Sequence, residues 1–346
     1  MNKVKIAATV VLVFNLLTFT LQAREGKVTV HVVDESGKPI PNIEVGADFN
    51  NAMAPGSGWG TGAPTKVKGI TGKDGACVLT GSGNLPSVDV GIRTTTQFYG
   101  SGGYGVSFTN SFLGRWQPWN STVEIVLKKV GVQVPMYAKR VWDAQIPSKG
   151  RPVGFDLMAG DWVAPDGKGQ VADLLFNFAR ITNGVVKEGP YNRSDNFLYR
   201  QLRDNSLTIS FSNEGDGIQS VAATGGGLRL PREAPANGYS PKLIKRDFEI
   251  ATNTVVITSE TKVVRHSDFN RDANYFFRVR TKTDGKGDIT NALYGKIYGD
   301  FGENIGNGQI NFTYYLNPEP NSRNMEFNTK SNLFKNLSSL ERVSAP

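Results

Sequence analysis

The chain is sparing with the residues that usually carry catalysis. It holds two histidines, His31 and His266, and one cysteine, Cys77. A catalytic zinc takes three protein ligands and a structural zinc four, drawn mainly from His, Cys and carboxylates. Two isolated histidines with no His-x-x-Glu spacing do not supply them. His31 alternates with Val28, Val30 and Val32 and reads as an exposed strand residue. His266-Ser267-Asp268 is contiguous, whereas a Ser-His-Asp triad is assembled from distant segments. Asp268-Phe269-Asn270-Arg271-Asp272 opens like a calcium loop, but Ala273 stands where glycine is required and Val279 where the bidentate Glu belongs. It reads as a polar loop before a strand. The Asp-Gly-Lys-Gly strings at Asp166 and Asp284 read as turns, because no helix follows to offer its N-terminus to a phosphate. No cofactor or metal is expected. Cys77, in Cys77-Val78-Leu79, reads as a buried, inert thiol, and a lone cysteine can form no intramolecular disulfide.

Two kinds of residue remain. Glycoside cleavage needs two carboxylates about 5 to 10 Å apart in a groove, and Asp156, Asp161, Glu188 and Asp195 are close enough in the chain to be considered. The other kind is aromatic. Trp59, Tyr99, Tyr104, Trp116 and Trp119 lie in glycine-rich surroundings, where strand packing does not require large rings. Such rings stack on the apolar face of a sugar. The competing reading is that they cover the ends of a sandwich.

The elements that position these residues are strands. Val28, Val30 and Val32 share one face of an extended chain, as do Ile43, Val45, Ala47 and Phe49 after a turn built from Ser36-Gly37, Pro39 and Pro41. Lys66–Ile70 and Ala76–Thr80 flank the turn Thr71-Gly72-Lys73-Asp74-Gly75, and Val88–Ile92 and Val123–Leu127 alternate cleanly. This combination resembles the carboxypeptidase regulatory-like domain, a small transthyretin-like β-sandwich. Thr71 and Gly75 match the Thr-x-x-x-Gly step of its signature. Cys77 and Leu79 take apolar positions where an aromatic is usual, and the stretch from Arg93 to Asn120 is an insertion. The resemblance covers residues 24–130 and implies a seven-stranded Greek-key sandwich. The enzymes that carry this domain use zinc held by two His and a Glu, a ligand set this chain lacks. The fold belongs to a carbohydrate-binding-like superfamily, which by itself implies no sugar.

Residues 1–23 read as a signal peptide: Lys3 and Lys5 precede an apolar run from Ile6 to Leu21, shorter than a membrane span and interrupted by Asn15, with Ala23 at the cleavage point. The expected destination is secreted, periplasmic or cell envelope, with no transmembrane segment in the mature chain. Residues 131–346 show little helical periodicity. Strands are expected at 171–178, 206–211, 242–250, 255–262, 273–282, 292–298 and 309–316, forming a larger antiparallel sandwich or jelly roll that ends in a polar tail, where Leu337 and Leu340 suggest one short turn. Phe155-Asp156-Leu157-Met158-Ala159-Gly160-Asp161-Trp162 stands out without a motif to explain it. The formal net charge is +8, two of it from Lys3 and Lys5, and no block of Lys or Arg points to nucleic acid. The expected function is an exported, non-catalytic protein that binds an extracellular polysaccharide or acts as a surface spacer. The alternatives are a structural or assembly component working with envelope proteins, and a glycan-cleaving enzyme with its site in residues 131–346.

Overall fold

The computed structural model describes residues 22–53, 60–93, 95–101, 103–190, 197–224, 226–251, 263–302 and 306–346, without the side chains of 183, 186–190 and 197–200. Among these residues the regular structure is all β-strand, and no helix is long and apolar enough to cross a membrane. The chain divides into two units, Met1–Arg93 with Gly102–Leu127, and Thr94–Ser101 with Lys128–Pro346.

The first unit holds β1 (Arg24–Asp34), β2 (Glu44–Ala52), β3 (Thr61–Ile70), β4 (Ala76–Gly83), β5 (Ser87–Gly91), β6 (Tyr104–Ser107), β7 (Asn110–Phe112), β8 (Arg115–Gln117) and β9 (Ser121–Leu127). One sheet runs β4-β1-β8-β7, with β9 alongside β1 in parallel; the other runs β3-β2-β5-β6. Period-two patterning does its work here: Val28, Val30 and Val32 from the first sheet and Val45, Ala47 and Phe49 from the second are all buried. The sheets pack face to face. A Cβ at Gly81 would stand 2.4 Å from the Phe49 ring, so glycine there makes room for an aromatic of the opposite sheet. The Thr71 hydroxyl is buried, accepting from the Ile43 amide at 2.9 Å and donating to the Ile40 carbonyl at 2.8 Å, so it clamps the two turns together. Gly75 closes its own turn at φ +72°.

The insertion read from the sequence is where the unit differs from seven strands. Part of it forms β6, β7 and β8, which extend both sheets, so nine strands are described. The rest, residues 95–101, is hydrogen-bonded within the second unit, through Tyr99 N to Lys128 O at 2.9 Å and Val130 N to Gln97 O at 2.7 Å.

The second unit holds β10 (Val134–Gln145), β11 (Val153–Asp156), β12 (Asp161–Trp162), β13 (Leu174–Pro190), β14 (Phe197–Ser210), β15 (Gly217–Ser220), β16 (Lys242–Ala251), β17 (Val263–Ser267), β18 (Asn274–Thr283), β19 (Ile289–Tyr298), β20 (Gln309–Asn317) and β21 (Phe327–Asn332). Two six-stranded sheets run β15-β18-β19-β20-β10-β21 and β12-β11-β13-β14-β16-β17. Their shared core is strongly aromatic: Phe155, Phe176, Phe312 and Tyr314 pack at centroid separations of 5.6 to 6.3 Å, within the range where ring pairs attract.

The first of these sheets is buried on both faces. Tyr275, Phe277 and Val279 face the main core, while Phe276, Tyr294 and Tyr315 join a second cluster with Met136, Met325 and Phe327. Val343 and Ala345 of the tail pack on that cluster, and Ser338–Glu341 makes the single turn. A mostly polar tail docks because its few apolar residues join Leu230 and Ala234 on an aromatic face.

Candidate functional site

The aromatic residues singled out in the sequence do not form one platform. Trp116 on β8 is buried; its ring stacks on Phe108 and its Nε1 donates to the Gly83 carbonyl at 3.1 Å. Tyr99 is buried in the second unit, donating to Glu326 Oε1 at 2.6 Å and accepting from Gln133 Nε2 at 3.0 Å. Burial and the hydrogen bond to Glu326 push its phenol above the ordinary range. Both rings are held by packing and hydrogen bonds, and Tyr99 also lines a cleft of about 770 Å³ in the second unit together with Thr95, Gln133 and Lys330. Trp119 and Tyr104 are half-buried, and the Arg115 guanidinium lies 4.8 Å from the centroid of Trp119. Trp59 lies outside the described residues. Ala23 is exposed just before β1.

The carboxylates tell a similar story. The side chain of Glu188, all of Asp195 and the strand expected at 255–262 lie outside the described residues. Asp156 accepts from the amides of Met158, Ala159, Gln170 and Val171 at 2.9 to 3.1 Å. Burial pushes its pKa up, but these four donors outweigh it and hold the carboxyl below its usual value. Asp161 accepts from Trp162 N and Lys168 N, shaping the same loop. Arg280 closes the arrangement: Nε and Nη2 donate to Asp173 Oδ1 and Oδ2 at 2.7 and 2.8 Å, and Nη2 also reaches Asp156 at 3.0 Å.

Arg280 would face away from the core in a regular strand. A register shift in β18 re-aims it, with φ +54° held because Asp216 accepts from the amides of Arg280 and Thr281. The unusual string from Phe155 to Trp162 is thus a loop tied to β18 by a buried ion cluster. Asp156 is spent on this arrangement, since four amides and the Arg280 guanidinium converge on its two oxygens. His266 contacts Asp268 at 2.7 Å on an exposed edge, and no cluster of three or more metal-ligating side chains occurs among the described residues.

A second cleft, of about 790 Å³ and also in the second unit, has an exposed ring and several convergent polar groups in its wall. It arises where the core runs out. On β13, Leu174, Phe176 and Phe178 point inward, and two residues on, at the same parity, stands Arg180; on β14 the inward series Ile209, Leu207, Asn205 ends at Arg203. The slots that hold apolar side chains in mid-sandwich hold guanidiniums at its end. Arg180 is oriented by Gly306 O, by Asn307 Oδ1 at 3.4 Å and by Gln201 Oε1 at 3.3 Å. Arg203 Nε sits 3.6 Å from Asp247 Oδ2.

A β-bulge supplies the other wall. β10 pairs with β20 in regular register up to Val141↔Phe312, then carries one extra residue before Ala144↔Ile310. Asp143 takes φ +47°, uncommon for a residue with a side chain, and its amide donates to Asn311 Oδ1 at 2.7 Å. The bulge leaves Trp142 at the cleft wall with 54% of its surface exposed. Arg271, Gln309 and Asn307 complete the lining. Asp300, at the inner end, is buried and already matched by Lys245 Nζ at 2.7 Å. Sequence reading missed this site because neither Trp142 nor Arg180 lies in a motif. The available signal was arginine in the apolar register of two strands.

No protein-family model matches the chain, and no curated protein matches it. Among solved structures, the chain is similar to the shaft pilin spaA from Lactobacillus rhamnosus GG, at 12% identity, covering 59% of this chain and 91% of the pilin chain with a TM-score of 0.20. A likeness this shallow carries no argument about function.

Proposed function

We propose that the protein is an exported, non-catalytic two-unit β protein that binds an extracellular glycan in the cleft of its second unit. The first unit, in this reading, is a carboxypeptidase regulatory-like module acting as a spacer. The observation that carries the proposal is Trp142: a large ring kept exposed by a strained bulge, beside a cavity of about 790 Å³ lined by side-chain amides and guanidiniums. Pockets of about 300 to 1,000 Å³ with one flat apolar surface and a few convergent polar groups suit small cyclic ligands. A tryptophan face stacks on the C–H face of a pyranose while amides and carboxylates meet its hydroxyls. A glycan array probed with the whole chain and with W142A tests it. Recognition of a defined set of glycans, lost in W142A, supports the reading; an array blank for the wild type, or a pattern unchanged in W142A, overturns it.

A specific observation favours a second reading, assembly with partner proteins. The β7–β8 hairpin presents Phe112 at 67% and Leu113 at 84% exposure at its tip. Concentration-dependent self-association in size-exclusion chromatography, abolished by F112S, would support this reading over glycan binding.

A further inference from the structure

Trp142 borders a further cleft besides the one described above, and what this implies for the ligand rests on the glycan reading. We propose that the protein recognises the interior of a linear glycan chain, whose successive rings pass from the cleft beside Asn311, across Trp142, into a third cleft beside Trp162. The third cleft has a volume of about 320 Å³, and Trp142 lines both. From Trp142 one cleft extends toward Asp143 and Asn311, the other toward Ala144, Trp162 and the Ser338–Glu341 turn of the tail. Among the described residues the cleft beside Tyr99 shares no lining side chain with either. Each of the two volumes falls within the roughly 300 to 1,000 Å³ of a pocket that holds one small ligand, so the joined pair suits several rings in series.

The third cleft has the two-sided chemistry a pyranose needs. Its floor is apolar and fixed: Val141, Phe155 and Trp162 are buried, and the Phe155 and Trp162 rings meet edge to face at 5.3 Å. Its rim is polar. Lys139 Nζ donates to Gly160 O at 2.8 Å and pairs with Glu341 Oε1 at 2.9 Å, which leaves one N–H for a ligand hydroxyl. Each carboxylate oxygen of Asp161 accepts one amide, from Trp162 at 2.8 Å and from Lys168 at 3.0 Å, and keeps a lone pair to accept from a hydroxyl. The tail turn is pinned as a wall, since the Ser338 amide and hydroxyl donate to Glu341 Oε2 at 3.0 and 2.8 Å. Recognition of a chain end calls for a pocket that encloses most of the ligand surface. Here the shared ring is 54% exposed and Leu340, on the rim, 57% exposed, so a chain lying across Trp142 runs on into solvent.

The test titrates the full chain with cello-, xylo-, manno-, chito- and galacturono-oligosaccharides, each from the disaccharide to the hexamer. The proposal expects affinity within a recognised series to rise at least about tenfold from the shortest to the longest member. W142A is expected to weaken every length, and L340A to bring the hexamer down toward the disaccharide. A bulky dye coupled to the reducing end is expected to change hexamer affinity by less than about twofold. Melting temperatures near wild type verify the folds of both variants. Equal affinity at all lengths, or loss of binding on coupling the dye, with W142A still defective, would overturn recognition of the chain interior and leave the glycan reading intact. A length dependence that L340A does not change would overturn the third cleft as its source. Binding to none of the series would overturn both readings.

Discussion

Replacing Arg280 with methionine removes the guanidinium that bridges the Asp156 and Asp173 carboxylates. Asp173 has no exposed side-chain surface, and Arg280 is one-quarter exposed. Breaking a buried ion pair by removing one partner costs about 3 to 5 kcal/mol, since the remaining charge is left uncompensated. The partial exposure of Arg280 places the expected loss near about 3 kcal/mol. For a unit of this size that corresponds to a fall of roughly 6 to 12 °C in its melting temperature. The loss has a pH signature. Burial raises the Asp173 pKa above the usual carboxylate value, and it outweighs the lowering by Arg280. Without the guanidinium the carboxyl rises further, so the folded variant holds its proton more tightly than the unfolded chain does. The R280M deficit is then full at neutral pH and shrinks as the pH is lowered toward 5. Adding D173N to R280M recovers part of the loss. Scanning calorimetry of the three variants at pH 7.5 and pH 5 measures this. A melting temperature within about 2 °C of wild type, or a deficit equal at both pH values, would refute the assignment of the cluster as what ties the loop down.

Other expectations follow from the same reasoning. W116A is expected to destabilise the first unit by about 3 to 5 kcal/mol through the cavity and the orphaned Gly83 carbonyl, a loss readable by thermal melting; a variant as stable as wild type would return Trp116 to the list of ligand residues. Leu113 sits at φ +48° beside Gly114 at +77°, so L113N creates the Asn-Gly pair this two-residue hairpin turn favours and is expected to raise stability by about 1 kcal/mol. Lys296 is fully buried between the rings of Tyr298 and Tyr315, and burial pushes its pKa down to about 7. Between that value and its unfolded range near 10.5 the unfolded chain binds a proton the folded one releases, so stability rises with pH across this window, by up to about 1.4 kcal/mol per unit. Urea titrations from pH 7 to 9.5 should show that slope in wild type and its absence in K296M.

The sheets were largely legible because alternation is a local signal. Val28, Val30 and Val32, or Tyr275, Phe277 and Val279, declare a face without reference to the rest of the chain. What alternation does not show is the second partner of a face. Phe276 and Tyr315 fall on the opposite face of the same strands, and only the fold reveals the tail and the loop around Leu230 packed with them. Bulges were invisible for the same reason. Trp142 and Arg280 owe their orientation to one extra residue relative to a partner strand, a quantity belonging to the pair and not to either sequence. The insertion was read by composition, where Trp116 among glycines looks solvent-facing; the two-residue turn at Leu113-Gly114 folds it back as a paired strand and buries the ring. The candidate cleft was the least legible part, since Arg180 and Arg203 come from different strands and meet only where the apolar core ends.

The most direct test of the central claim is a calorimetric titration of the whole chain and of W142A with a glycan that the wild type binds. Loss of a central aromatic contact is expected to cost about 2 kcal/mol, roughly thirtyfold in affinity, with the melting temperature unchanged. Equal affinities for the two proteins would place the binding surface somewhere other than the cleft beside Trp142.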